Sequence, residues 1–370
     1  MKIIADKNIP YLKGIAERFG EVSYLDGAAF DQETIKDADT LIVRTVTHFD
    51  ENVLKGTAVK LICSATIGYD HIDTAYCDSH GIAWTNAPGC NSGSVQQYII
   101  SVLITMSRKK DFNLKDKTIG IVGVGNVGKK VARACEVLGV KVLLNDPPRQ
   151  AKEGDSNFVS LQTIMDEADI ITFHTPLTKE GEYRTYHLAD ANFFSSLKKK
   201  PIIINSARGG IIDTEAIKAA LNKNEISGAV IDCWEKEPNI DLEYLNMVDV
   251  ATPHIAGYSA DGKANATRMS LTAIANFYGM SKEPVSLVKE PTPANPVIDM
   301  NNYVDSDNRI YDVILETYNP AGDYFRLIND PASFKKLRNE YPLRREYFAY
   351  KIINATDEEN NILNSLGFQI

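Results

Sequence analysis

The sequence predicts an α/β architecture: two doubly wound parallel sheets followed by a small C-terminal α+β unit. Three observations predict it. Short apolar runs alternate with amphipathic stretches over roughly the first 280 residues, the pattern of parallel strands covered by helices on both faces. The runs fall into two series, with one long apolar-periodic stretch, residues 95–106, between them. Composition then shifts, as Pro284, Pro291, Pro293 and Pro296 crowd together and argue for extended chain.

In the first series, residues 2–5, 40–43, 60–63 and 82–84 read as buried strands. The second series begins at Thr118 and continues through residues 141–144, 170–173, 202–204, 229–231 and 248–251. Amphipathic helices are expected between strands, for example over 127–138 and 214–221. A helix over 260–278 returns the chain to the first domain, which is therefore discontinuous. The expected domains are 1–94 with 258–282, then 95–257, then 283–370. In the last, residues 347–354 read as a strand, Thr356-Asp357-Glu358-Glu359 as a helix start, and Gly367 as its stop.

Composition narrows the function. The 370 residues carry 49 acids and 40 bases, a net charge of -9, so no nucleic-acid footprint is expected. Lys198-Lys199-Lys200 suits a helix C-terminus, where cations complement the dipole. No run reaches the ~18 apolar residues of a membrane span, so no membrane partner is expected. The N-terminus reads as a strand, not a signal peptide. The 5 cysteines are scattered without a CxxC pair. They fit reduced thiols in a cytoplasm better than disulfides or a zinc site, and no metal is expected.

The second series opens on a phosphate-binding signature. The strand Lys117-Thr118-Ile119-Gly120-Ile121-Val122 runs into Gly123-Val124-Gly125-Asn126-Val127-Gly128 and then a helix. The first glycine permits a tight turn, the second lets backbone approach a pyrophosphate, and the third lets helix and strand pack closely. The helix N-terminus adds unpaired donors. Asp146 ends the next strand about 20 residues on, where a carboxylate accepts from ribose hydroxyls and repels a 2′-phosphate. The domain thus reads as Rossmann-like, with NAD rather than NADP as cofactor.

Three later segments sit at predicted strand ends, where α/β sheets bind ligands. They are Asn205-Ser206-Ala207-Arg208, Asp232-Cys233-Trp234-Glu235-Lys236-Glu237 and Thr252-Pro253-His254-Ile255-Ala256-Gly257-Tyr258. Oxidising an alcohol needs a base for the hydroxyl proton, which His254 can supply. Glu237 would orient the imidazole and favour its charged form. Arg208 offers a planar fork for a carboxylate.

With these segments in view, the chain resembles the D-isomer-specific 2-hydroxyacid dehydrogenase family from Met1 to residue 280 or so. The resemblance rests on Asp6-Lys7-Asn8-Ile9-Pro10, Val43-Arg44-Thr45-Val46-Thr47, Ala65-Thr66-Ile67-Gly68-Tyr69-Asp70-His71 and Asn86-Ala87-Pro88-Gly89-Cys90-Asn91. The glycine motif and His254 to Tyr258 match as well. The tail marks a branch of the family through Phe334-Lys335-Lys336-Leu337-Arg338 and Tyr341-Pro342-Leu343-Arg344-Arg345-Glu346.

The resemblance implies two Rossmann-like domains, substrate-binding and NAD-binding, plus a C-terminal dimerisation domain, hence a homodimer. It implies that Arg208, Glu237 and His254 are catalytic, with His254 moving the proton. Implied NAD contacts come from Asn126, Val127, Asp146, Thr175, Ala207, Asp232 and Gly257. Implied contacts to a small phosphorylated hydroxy acid come from Thr45, Thr66 and Tyr258. Thr45 stands where the family has Ser. Two other readings stay open: a family dehydrogenase for a different hydroxy acid, and a non-catalytic NAD-sensing protein.

Overall fold

The structure, a computed structural model, describes residues 1–154 and 157–370. The chain divides into two compact units: Met1–Asn91 with Ser259–Thr292, and Ser92–Tyr258 with Pro293–Ile370.

The first unit is built on five parallel strands: β1 (Lys2–Asp6), β2 (Glu21–Leu25), β3 (Thr40–Val43), β4 (Leu61–Ser64) and β5 (Ala83–Thr85). Their order is β2-β1-β3-β4-β5. Successive side chains of a strand face opposite sides, so Ile42 and Cys63 pack with Leu271 and Ile274. Leu41, Val43 and Ile62 pack on the other face with Phe30, Phe49 and Leu54. Leu271 and Ile274 belong to the returning helix, Ala260–Tyr278. Ser259 caps its start, accepting from Gly262 N–H at 2.8 Å, and Gly279 ends it at φ +65°. Strand β2 is unforeseen: it is an edge strand whose Glu21 and Ser23 are exposed, leaving too little apolar pattern to read.

The second unit holds six parallel strands: β6 (Thr118–Val122), β7 (Lys141–Asn145), β8 (Ile170–Phe173), β9 (Ile202–Asn205), β10 (Gly228–Ile231) and β11 (Val250–Ala251). Their order, β11-β10-β9-β8-β6-β7, reverses direction at β6. The carboxyl ends of β6 and β8 therefore flank a topological switch point, where α/β sheets bind ligands.

The tail is richer than the extended linker, single strand and final helix expected of it. β12 (Val297–Asp299) pairs in parallel with β13 (Lys351–Ile353). Helices Arg309–Thr317, Pro320–Asn329 and Phe334–Asn339 lie between them in sequence. The final helix, Asp357–Leu366, begins at Thr356 with a full capping box and ends at Gly367, φ +112°. From Pro293 onward the tail groups with Ser92–Tyr258 in the second unit. Its Ile298, Val313, Ile314 and Leu363 join one apolar cluster with Ile99, Ile100 and Leu103 of the helix Ser92–Lys109. Polar ties reinforce the join: Gln97 donates to Thr317 Oγ1 at 3.1 Å and to the Arg345 carbonyl at 2.9 Å. Among the described residues no helix is long and apolar enough to cross a membrane.

Candidate active site

The glycine loop meets the demands of a dinucleotide phosphate cradle. Gly123 has φ +90°, and a Cβ there would lie 2.8 Å from the Thr175 nitrogen. A Cβ at Gly128 would lie 2.1 Å from the Gly123 carbonyl oxygen, so helix and loop can close only on glycine. Around Gly125 there is open space to 4 Å, which leaves its backbone approachable. Gly125 also caps the helix Asn126–Val137 without a side-chain bond, so the first-turn amides stay available to an anion. Two buried hydroxyls at strand ends, Thr175 Oγ1 after β8 and Ser206 Oγ after β9, have no partner. These residues fit NAD.

Asp146 does more than the sequence shows. It accepts from Val124 N–H at 2.8 Å, tying the glycine loop to the end of β7, and from Arg149 N–H at 3.1 Å. Arg149 is engaged too, with its fork on Glu153 at 2.7 and 2.8 Å and Nη1 on the Val124 carbonyl at 2.6 Å. A 2′-phosphate would have to displace Glu153 to reach it.

The end of the sheet brings His254 and Glu237 together. His254 Nδ1 lies 2.7 Å from Glu237 Oε2, and Glu237 Oε1 accepts from Trp234 N–H at 2.8 Å. Burial raises the carboxyl, but the His254 bond, the His254 charge and the Trp234 amide outweigh it and hold Glu237 below the usual range. Glu237 is therefore an anion that orients the ring and presents Nε2 outward. Glu237→Gln removes that anion, so the rise of kcat/KM with pH should move to lower pH. A pH–rate profile of the variant checks this, and an unmoved limb would remove Glu237 from the pair.

His254 sits at φ +56°, a region uncommon for side chains larger than glycine. Asp232 holds it there, an unforeseen role. Only 1% exposed, Asp232 accepts from Thr252 Oγ1 at 2.6 Å, Ile255 N–H at 2.7 Å and Ala256 N–H at 3.0 Å. The Asp232 carbonyl accepts from His254 N–H at 2.8 Å. With its carboxylate bonded this way, Asp232 positions the segment that carries His254.

Arg208 follows β9 and is half-buried, with Nη1 on the Ala207 carbonyl at 2.8 Å. Its charge reaches the Cys233 thiol, which burial nevertheless pushes well above its usual range. Cys233, Glu237 and His254 offer ligand atoms within 4.8 Å of one another. A thiol so reluctant to ionise, beside an imidazole already bonded, makes a poor metal set. His174 lies 3.1 Å from Thr172 Oγ1, and desolvation pushes it down to about 3, so it stays neutral and outside the chemistry.

In the first unit, Thr45 is exposed beyond β3. Thr66 is half-buried beyond β4, donates to the Gly68 carbonyl at 2.9 Å and lies 2.7 Å from Ser64 Oγ. Arg44 is clamped by Asp6, with contacts of 2.8 and 3.3 Å.

A dinucleotide cradle, an imidazole–carboxylate pair and a guanidinium at successive ends of one parallel sheet define a class: an NAD-dependent dehydrogenase of 2-hydroxy acids. Comparison with known proteins agrees. Residues 96–256 match the family model "D-isomer specific 2-hydroxyacid dehydrogenase, NAD binding domain", and residues 291–367 match "Domain of unknown function (DUF3410)". The chain is 52% identical over 354 residues to erythronate-4-phosphate dehydrogenase of Bacteroides thetaiotaomicron, covering 95% of this chain and 99% of that one. It is 43% identical over 369 residues to the enzyme of that name from Porphyromonas gingivalis, covering 100% of each. Among solved structures, NAD+-bound 3-phosphoglycerate dehydrogenase of Entamoeba histolytica superposes with a TM-score of 0.64 at 30% identity, covering 75% of this chain and 95% of that one. The chain belongs to the erythronate-4-phosphate dehydrogenases, within the D-isomer specific 2-hydroxyacid dehydrogenase family.

Proposed function

We propose that the protein oxidises 4-phospho-D-erythronate to (R)-3-hydroxy-2-oxo-4-phosphooxybutanoate with NAD, as a step of pyridoxal phosphate biosynthesis. The observation that carries the reading is the His254–Glu237 pair at 2.7 Å, set in a chain that matches the named relatives from end to end. His254 Nε2 takes the proton from the C2 hydroxyl while Glu237 steadies the resulting imidazolium. Arg208 grips the carboxylate and polarises the C2 oxygen. NAD, when bound, supplies the acceptor for the C2 hydride. Gly123, Gly125, Asn126, Val127, Gly128, Asp146, Thr175, Ala207, Asp232 and Gly257 hold NAD, and Asp232 also positions the His254 segment. Thr45, Thr66 and Tyr258 contact substrate, which makes the first unit substrate-binding. Incubation with 4-phospho-D-erythronate and NAD should form NADH and 2-oxo acid in equal amounts; NADH formation without the oxo acid would reject the reaction.

The tail pairs two copies of the chain. Half of the exposed large hydrophobic side chains among the described residues lie after Pro293, including Phe325 at 68%, Leu343 at 52% and Phe348 at 46%. The full chain should sediment as a dimer, and Phe325→Glu with Phe348→Glu should release monomers. Truncating the tail is a poorer test, because it would strip the second unit's core. A cytoplasmic location fits five buried, unbridged cysteines.

A further inference from the structure

The tail gives the second unit an arginine that the reaction derived above does not use. Arg338 lies in the last turn of the helix Phe334–Asn339. Its guanidinium stands 5.4 Å from the centre of the Tyr258 ring, in the segment that carries His254. Its charge is felt at Glu237 and at the Cys233 thiol. Yet its Nε is buried without a partner, and no hydrogen bond or ion pair engages the group among the described residues.

The neighbouring cations are enclosed or paired. Arg344 is 5% exposed, donates to the Ala256 carbonyl at 2.5 Å and stacks 4.5 Å over Tyr318. Its Nε and Nη1 are also buried without a partner, but the side chain is shut away, whereas Arg338 is half-exposed and open to a ligand. Arg326 pairs with Asp323. Arg44, in the first unit, is bound to Asp6. Sheltering a cation with unused donors is costly unless an anion completes it. A guanidinium has five N–H donors in a fork that matches phosphate oxygens, and a phosphate monoester brings nearly two negative charges.

We infer that Arg338, seated on the Tyr258 ring, binds the terminal phosphate of the substrate. The inference rests on the proposed reaction, whose substrate has an anion at each end, with Arg208 meeting the carboxylate. The tail thereby supplies part of the substrate site as well as part of the core. Arg344 and Arg345, at 5% and 7% exposure, are less accessible to a ligand than Arg338.

The test compares the full-length protein with Arg338→Ala and Arg338→Lys on 4-phospho-D-erythronate and D-erythronate, with NAD. For Arg338→Ala, kcat/KM on the phosphorylated acid should fall about 10- to 100-fold, chiefly through KM, the size expected for losing a charge-assisted contact. The preference for the phosphorylated acid should fall with it, and Arg338→Lys should recover part of that preference. Equal losses on both acids would assign Arg338 to packing and overturn the inference, as would no loss. If the unaltered protein turns over neither acid, the proposed reaction fails, and inorganic phosphate decides the site. Calorimetry with NAD present should then show phosphate binding that weakens at least tenfold in Arg338→Ala; equal binding overturns the inference.

Discussion

Replacing His254 with alanine is expected to lower kcat/KM for 2-hydroxy-acid oxidation by about 10²- to 10⁴-fold, the usual worth of a positioned general base. NAD affinity should persist, because the cradle around Gly123, Gly125 and Gly128 is built from backbone on the other side of the sheet centre. Steady-state kinetics with a parallel NAD titration check both halves. A loss under tenfold would remove His254 from proton transfer. A large loss of NAD affinity would mean that the segment, not the imidazole, had failed.

Asp232→Ala should produce the largest loss of stability. The substitution orphans the Ile255 and Ala256 amides in a site that is 1% exposed, while Thr252 Oγ1 keeps the Tyr98 hydroxyl at 2.8 Å. Each buried donor left without an acceptor costs about 1–3 kcal/mol, so the two amides together should cost at least about 2 kcal/mol. Denaturant unfolding of the second unit measures this. Activity should fall as well, since only the backbone bond from His254 N–H to the carbonyl of residue 232 would remain to hold His254 in its left-handed conformation. A variant with native stability would mean that water replaces the carboxylate and that the segment does not depend on it.

Legibility in the sequence followed how local the determining forces are. β8 at Ile170–Phe173 and the helix Ala260–Tyr278 match the expected residues, because a fully buried strand is an unbroken apolar run and the helix has Ser259 and Gly279 at its ends. The capping box at Thr356 is equally local. β2 was not legible, being half exposed at a sheet edge. The tail helices were hidden behind their prolines, yet Asn319-Pro320 is an N-cap followed by Pro at the first helical position. That signal could have found them.

In the site, the glycines, His254 and Glu237 announce themselves by residue type and strand-end position. Asp232 does not, because its partners lie 20 and more residues along the chain and only the folded sheet brings them to it. Arg338 is invisible for the same reason: its nearest functional neighbour, Tyr258, is distant in sequence. Arg344 and Arg345 look like a solvated or interfacial pair, and folding buries both against the chain itself.

Hydride transfer from a specific phosphorylated 2-hydroxy acid to NAD is checked by kcat/KM for 4-phospho-D-erythronate, 3-phosphoglycerate and D-lactate, measured side by side with NAD. The highest value is expected for 4-phospho-D-erythronate. A clear preference for either of the other two acids, or tight NAD binding with no turnover of any, would contradict it.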